Sequence, residues 1–188
     1  KKFVQLSIER QIQFGVSSRV NIEDLKQAVP SLSEAVSRVT LEVPAEFPET
    51  ESASPVRLRL HGLDNQTQPP LNQIVIHDGT LPGPGEVALE HNLFDHHALK
   101  IGDVLHIQTQ GSQQPLRVSA RVSSAEYPWV ARSELDLMPS PNTFGIGWTD
   151  SATLLQWGGA QIRHELLIET DAPDLSVVSK TLRDHLGS

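Results

Sequence analysis

The chain has no cysteine, a single methionine, Met138, and no run of about 20 apolar residues of the kind that crosses a bilayer as a helix. Without cysteine there is no disulfide framework and no thiolate metal site. Without the apolar run nothing in these 188 residues spans a membrane as a helix, and the start, Lys1-Lys2-Phe3-Val4-Gln5-Leu6-Ser7, lacks the apolar core of a signal peptide. Positive charge is also scarce. Fifteen Lys and Arg against 23 Asp and Glu leave a net charge of −8, which repels polyanions, so nucleic acid is not an expected partner. No basic cluster offers an anchor to anionic lipid. Gly-x-Ser-x-Gly, His-Glu-x-x-His and a Gly-rich phosphate loop are all missing, which removes the usual hydrolytic and nucleotide signatures. Gly83-Pro84-Gly85 is a turn instead, because proline deletes a backbone N–H that a phosphate would need. Because it opens on Lys1 rather than Met, the chain reads as a piece of something longer.

What is present is clearest in residues 79–110. A Gly- and Pro-rich turn breaks any regular element, after which Glu86-Val87-Ala88-Leu89 reads as a short strand. Residues 92–99 read as about two helical turns, with Leu93, Phe94 and Leu99 for burial. Lys100-Ile101-Gly102-Asp103 then turns into a strand over 104–109, with Val104, His106 and Gln108 on one face and Leu105, Ile107 and Thr109 on the other.

Elsewhere, residues 3–20 hold at least one strand, and Asn21 caps a helix whose stripe is Ile22, Leu25 and Val29. Pro30 ends it, and Ser31-Leu32-Ser33-Glu34 is a capping box expected to restart a short helix carrying Leu32 and Val36. Residues 39–43 alternate as a strand that Pro44 breaks, and 44–55 form a solvated loop. Residues 56–62 alternate apolar and basic, as a strand with one wet face does. Residues 74–76 form a short apolar segment, and Gly111–Pro115 turn the 104–109 strand into one over 116–122. Residues 123–150 are expected to be irregular and aromatic. Asp150 caps a helix stopped by Gly158-Gly159, 162–170 is a strand, and a last helix starts at 171–174 with Leu175, Val178, Leu182 and Leu186 as its stripe. The strand–helix–strand at the front and the strand–helix at the back read as halves of one α+β layer, interrupted by a β-rich insertion.

Two groups of side chains invite a chemical reading. Glu90, His91, Asp95, His96 and His97 are metal-ligand types, but successive residues on a helix point about 100° apart, so His96 and His97 diverge and a solvated helix face is expected. Glu134 and Asp136 are one carboxylate pair among 23 acidic residues and specify no acid–base chemistry. No catalytic residue, cofactor or metal ligand is assigned. Tyr127, Trp129, Phe144 and Trp148 form a candidate binding surface, since aromatic side chains on Pro- and Gly-rich loops are common anchors. Their alternative role is to plug the underside of a barrel-like lobe, with the Tyr and Trp tips hydrogen-bonded at its edge.

The segments Gly79 to Leu89, Leu99 to Asp103, Leu116 to Val122, and Ala125-Glu126-Tyr127-Pro128 together resemble the extracytoplasmic, periplasmic-core domain of FtsX/MacB-like ABC transporter permeases, over roughly residues 20–186. Tyr and Pro stand in the reverse of the commonest order, and Ser119-Ala120 replaces an expected Gly. The resemblance implies a porter-like α/β subdomain, 1–50 plus 160–188, interrupted by a small-barrel-like lobe over 51–159. It further implies an extracytoplasmic domain looped out of an integral membrane protein, Lys1 and Ser188 at one end of the fold, and no catalysis of its own. The domain would engage substrate or an envelope partner protein and move as a separate cytoplasmic subunit hydrolyses ATP. The fragment is expected to be a monomer, with pairing left to the parent permease. The competing readings are a secreted small-ligand or carbohydrate-binding module built on the aromatic set, and a hydrolase built on the histidines.

Overall fold

The computed structural model describes residues 2–8, 22–48, 55–64, 66–127 and 140–186. In chain order they form β1 (Lys2–Ile8), α1 (Ile22–Ala28), β2 (Leu32–Glu46), β3 (Val56–Leu63), β4 (Ile74–Gly79), β5 (Glu86–Glu90), α2 (His91–His96), β6 (Val104–Thr109), β7 (Ser112–Ser124), β8 (Phe144–Asp150), α3 (Ser151–Gly158), β9 (Arg163–Thr170) and α4 (Leu175–Leu186). The fold class is α+β. The chain divides into two compact units, Lys1–Arg38 with Arg163–Ser188, and Val39–Ile162. Lys1, Ser188 and the Asn21 cap lie outside the described residues.

In the first unit β9 lies between β1 and β2, with β1 antiparallel to it from Lys2↔Thr170 to Ile8↔His164. Leu25 and Val29, four apart on and just after α1, and Val178 and Leu182, four apart on α4, bury against Leu166 and Ile168 of β9. Each such side chain contributes about 1.5–3 kcal/mol on leaving water. Asp174 starts α4 by accepting a hydrogen bond from the Ser176 amide at 2.8 Å.

The short helix expected at Leu32–Val36 is instead the start of β2. The capping box is a local preference worth about 1 kcal/mol. Against it, the Ser31 carbonyl accepts from Thr170 Oγ1 at 3.0 Å and from the Asp171 amide at 3.2 Å, and Leu32 and Ala35 enter the core. Nor does Pro44 end the strand. It pairs with Arg57 within the ladder, and β6 joins β2 just beyond it, at Ala45 and Glu46.

The second unit is a closed barrel. The ring runs from β2 antiparallel to β3, β3 parallel to β8, β8 antiparallel to β5, β5 parallel to β7, β7 antiparallel to β6, and β6 back to β2. Leu41, Val43, Leu58, Leu60, Val87, Leu89, Leu105, Ile107, Leu116 and Val118 form its core, joined by Leu93 of α2 and Leu154 of α3. The exposed–buried alternation of β6 is the one its sequence shows. The turn before β7 is tighter than Gly111–Pro115. Thr109 pairs with Ser112 across Gln110 and Gly111, whose φ of +83° suits a two-residue hairpin, and Pro115 sits inside the strand opposite His106.

β8 departs most from expectation, since the stretch Phe144-Gly145-Ile146-Gly147-Trp148 is a strand buried on both faces rather than a loop. Its glycines face the crowded barrel core, where a Cβ on Gly145 would come within 2.5 Å of Leu93 Cδ2 and one on Gly147 within 3.1 Å of Leu60 Cδ2. Its large side chains face outward into a second core with Leu63, Ile74, Ala88, Ala120 and Val122. β7 can serve both cores because it is bulged: Val87 pairs with Val118 and Ala88 with Ala120, so Ser119 is extra and side-chain parity inverts beyond it. β4 lies outside the ring, antiparallel to the far half of β7. Gly79 at its end has φ +83°, and a Cβ there would collide with the Ser119 carbonyl.

Candidate functional site

The inverted parity of β7 turns Arg121 and Ser123 toward α2 and β4 and assembles a polar corner. Glu90 ends β5 with 1% exposure and caps α2, accepting from the Asn92 amide at 2.9 Å and the Leu93 amide at 3.2 Å. The same carboxylate accepts from Asn92 Nδ2 at 3.0 Å and lies 2.7 Å from His91 Nδ1. One turn along α2, Asp95 takes two hydrogen bonds from Arg121, at 2.8 and 2.6 Å. Those bonds hold the Asp95 carboxyl below its usual range and raise Arg121 above its own. His77 of β4 joins the corner with Nε2 2.9 Å from Ser123 Oγ and its ring edge-on to His91, centroids 5.9 Å apart.

His96 and His97 point elsewhere. His96 Nε2 is 2.8 Å from Asn142 Oδ1, while His97 stacks on Phe47 at 4.4 Å and donates from Nε2 to the Pro141 carbonyl at 3.2 Å. Burial pushes the His97 imidazole below the usual histidine range. The His96 and His97 rings stay in edge-on contact, centroids 5.0 Å apart, while His91 faces His77, which no local pattern connects to it. Among the described residues, no three His, Cys, Asp or Glu side chains converge as a ready metal site.

Of the aromatic set, Trp148 and Phe144 are each 2% exposed and belong to the second core. Arg59 lies over the Phe144 ring at 5.0 Å. Tyr127 is partly buried, its hydroxyl 2.7 Å from Nε2 of the buried His61 and its ring 6.3 Å from Trp148. Trp129, Glu134 and Asp136 lie outside the described residues. Side chains as enclosed as Phe144 and Trp148 present no face to a ligand in this conformation.

Among the described residues no helix is long and apolar enough to cross a membrane. No family model and no curated protein matches the sequence. Solved structures do. The chain is similar to the extracellular domain of the noncanonic ABC-type transporter YknZ from Gram-positive bacteria, at 13% identity and a TM-score of 0.53, over 89% of this chain and 82% of that one. It is also similar to a permease-protein domain from Porphyromonas gingivalis, at 12% identity and 0.50, over 87% and 68%. The periplasmic region of MacB from Actinobacillus actinomycetemcomitans gives 14% identity and 0.49, over 89% and 73%. With the α+β unit and the closed barrel each in place, the chain shares the fold of that extracellular ABC-type transporter domain.

Proposed function

We propose that this chain is an extracytoplasmic domain of an ABC transporter permease that engages substrate or a partner protein outside the membrane. It moves mechanically with ATP hydrolysis by a separate subunit. The observation that carries this reading is the agreement in fold with the YknZ extracellular domain over 89% of the chain. Glu90 and Thr149, both buried, serve the fold, Glu90 by capping α2 and Thr149 by donating to the Glu86 carbonyl. The burial of Phe144 and Trp148 favours this reading over a ligand module stacked on the aromatic set.

Two experiments test it. Reading the parent gene on both sides of this segment should reveal an apolar run of about 20 residues on each flank; flanks without such runs sink the assignment. Spin labels can be placed at Gln108 and Ser176, one exposed position in each unit, with any cysteine outside these 188 residues replaced. In the full transporter, the distance between the labels should change between the nucleotide-free and the ATP-trapped state. An unchanged distance distribution refutes the mechanical coupling.

A further inference from the structure

We propose that His77 and His91 form a binding site for a divalent transition-metal ion, of the Zn2+, Ni2+ or Cu2+ class, where β4 meets the start of α2. Two imidazoles on one ion, with metal–nitrogen bonds of about 2.0–2.1 Å and the ring nitrogen about 1.1 Å from the ring centre, have centres roughly 5–6 Å apart. The His77 and His91 centroids are 5.9 Å apart, within that range.

Polar neighbours occupy one nitrogen of each ring and leave the other for an ion. His91 Nδ1 is enclosed and 2.7 Å from Glu90 Oε1, although the oxygen lies too far off line for an aligned hydrogen bond. Glu90 cannot withdraw, because it is buried and caps α2. A lone pair facing that anionic oxygen would be repelled, so the ring proton rests on Nδ1 and Nε2 is the free donor atom. A carboxylate behind an imidazole in this way both orients the ring and strengthens it as a ligand. On His77, Nε2 lies 2.9 Å from Ser123 Oγ, so Nδ1 is the ring nitrogen left for an ion.

Charge and access agree with this. Asp78, Glu90 and Asp95 all act on Arg121, the cation placed among them. His77 is exposed and the His91 side chain is 38% exposed, so an ion has a path in. Water fills the remaining coordination positions, since Asp95 is held by Arg121. A site made within α2 alone lacks a second histidine on the right face; β4 supplies it.

Titration calorimetry of the tag-free chain with ZnCl2 and then NiCl2 tests the proposal. One ion per chain is expected, with affinity falling at least about tenfold in His77→Ala and in His91→Ala, and about tenfold in Glu90→Gln through the lost support of His91. His106→Ala on β6 and His185→Ala on α4, both at exposed positions, should bind as the parent does. His77 faces solvent and its replacement leaves the cores intact, so the His77→Ala result stands even if another variant folds poorly. Absence of binding by the parent chain, or binding of the same affinity in His77→Ala, overturns the site.

Discussion

Arg38 Nε donates to Glu165 Oε2 at 2.8 Å across 127 positions of sequence, with the two side chains only 8% and 10% exposed. A charge pair this enclosed differs from the exposed Lys180–Asp184 pair on α4, where solvent screens the attraction. Removing one partner leaves the other charge in the protein interior. Arg38→Ala and Glu165→Ala should therefore each destabilise by about 3–5 kcal/mol, while the joint replacement Arg38→Met with Glu165→Leu should cost far less than either. Urea unfolding of the four proteins checks this, and a double variant as unstable as the single ones would show that the pair is not the cause.

Gly145 lets Leu93 fill the barrel, because its Cβ position already holds Leu93 methyls. Gly145→Ala should cost about 1–3 kcal/mol by overpacking. The penalty should shrink in a Leu93→Ala background, where the offending methyls are gone. A double-variant cycle with additive effects would contradict the contact.

Tyr127 bonds to a buried histidine beside Trp148. Tyr127→Phe should keep the packing and cost about 0.5–1.5 kcal/mol, the net worth of its hydrogen bond with His61. Unfolding by guanidinium, followed by tryptophan fluorescence, reads the change. A loss below about 0.5 kcal/mol would mean that water replaces the hydroxyl.

Burial holds the His164 imidazole below its ordinary value of 6.5. Between the lowered folded value and 6.5 the unfolded chain binds more protons than the folded one, so stability rises with pH through that window. The His164 contribution is thus full above pH 6.5 and is lost as the pH falls through the folded value. Urea midpoints should be level from neutral pH upward and decline below 6.5, with a shallower decline in His164→Gln. His97 is lowered in the same direction by its own burial, so the slope is reduced rather than abolished. A His164→Gln curve that parallels the parent would remove His164 from the pH dependence.

The sequence by itself determined the elements whose cause is local. β6 alternates because one face is wet and the other lines a core, and Asp150 and Asp174 sit where a helix must begin, each accepting an amide hydrogen bond inside the first turn. The family resemblance was likewise legible, carried by the turn at Gly79, the Gly102-Asp103 turn and the strands beyond them. Only the tertiary structure decided β8, because a strand covered on both faces has no polar side to betray its period and its glycines are explained by Leu60 and Leu93 from distant parts of the chain. The start of β2 was decided in the same way, where hydrogen bonds from Thr170 and Asp171 and burial of Leu32 outweigh a capping signal of about 1 kcal/mol. The His77–His91 corner depends on the extra residue at Ser119, since the bulge turns Arg121 toward α2 and Ser123 toward His77 of β4. A bulge depends on how two strands register, and registration is a property of the pair, which neither strand's sequence carries alone.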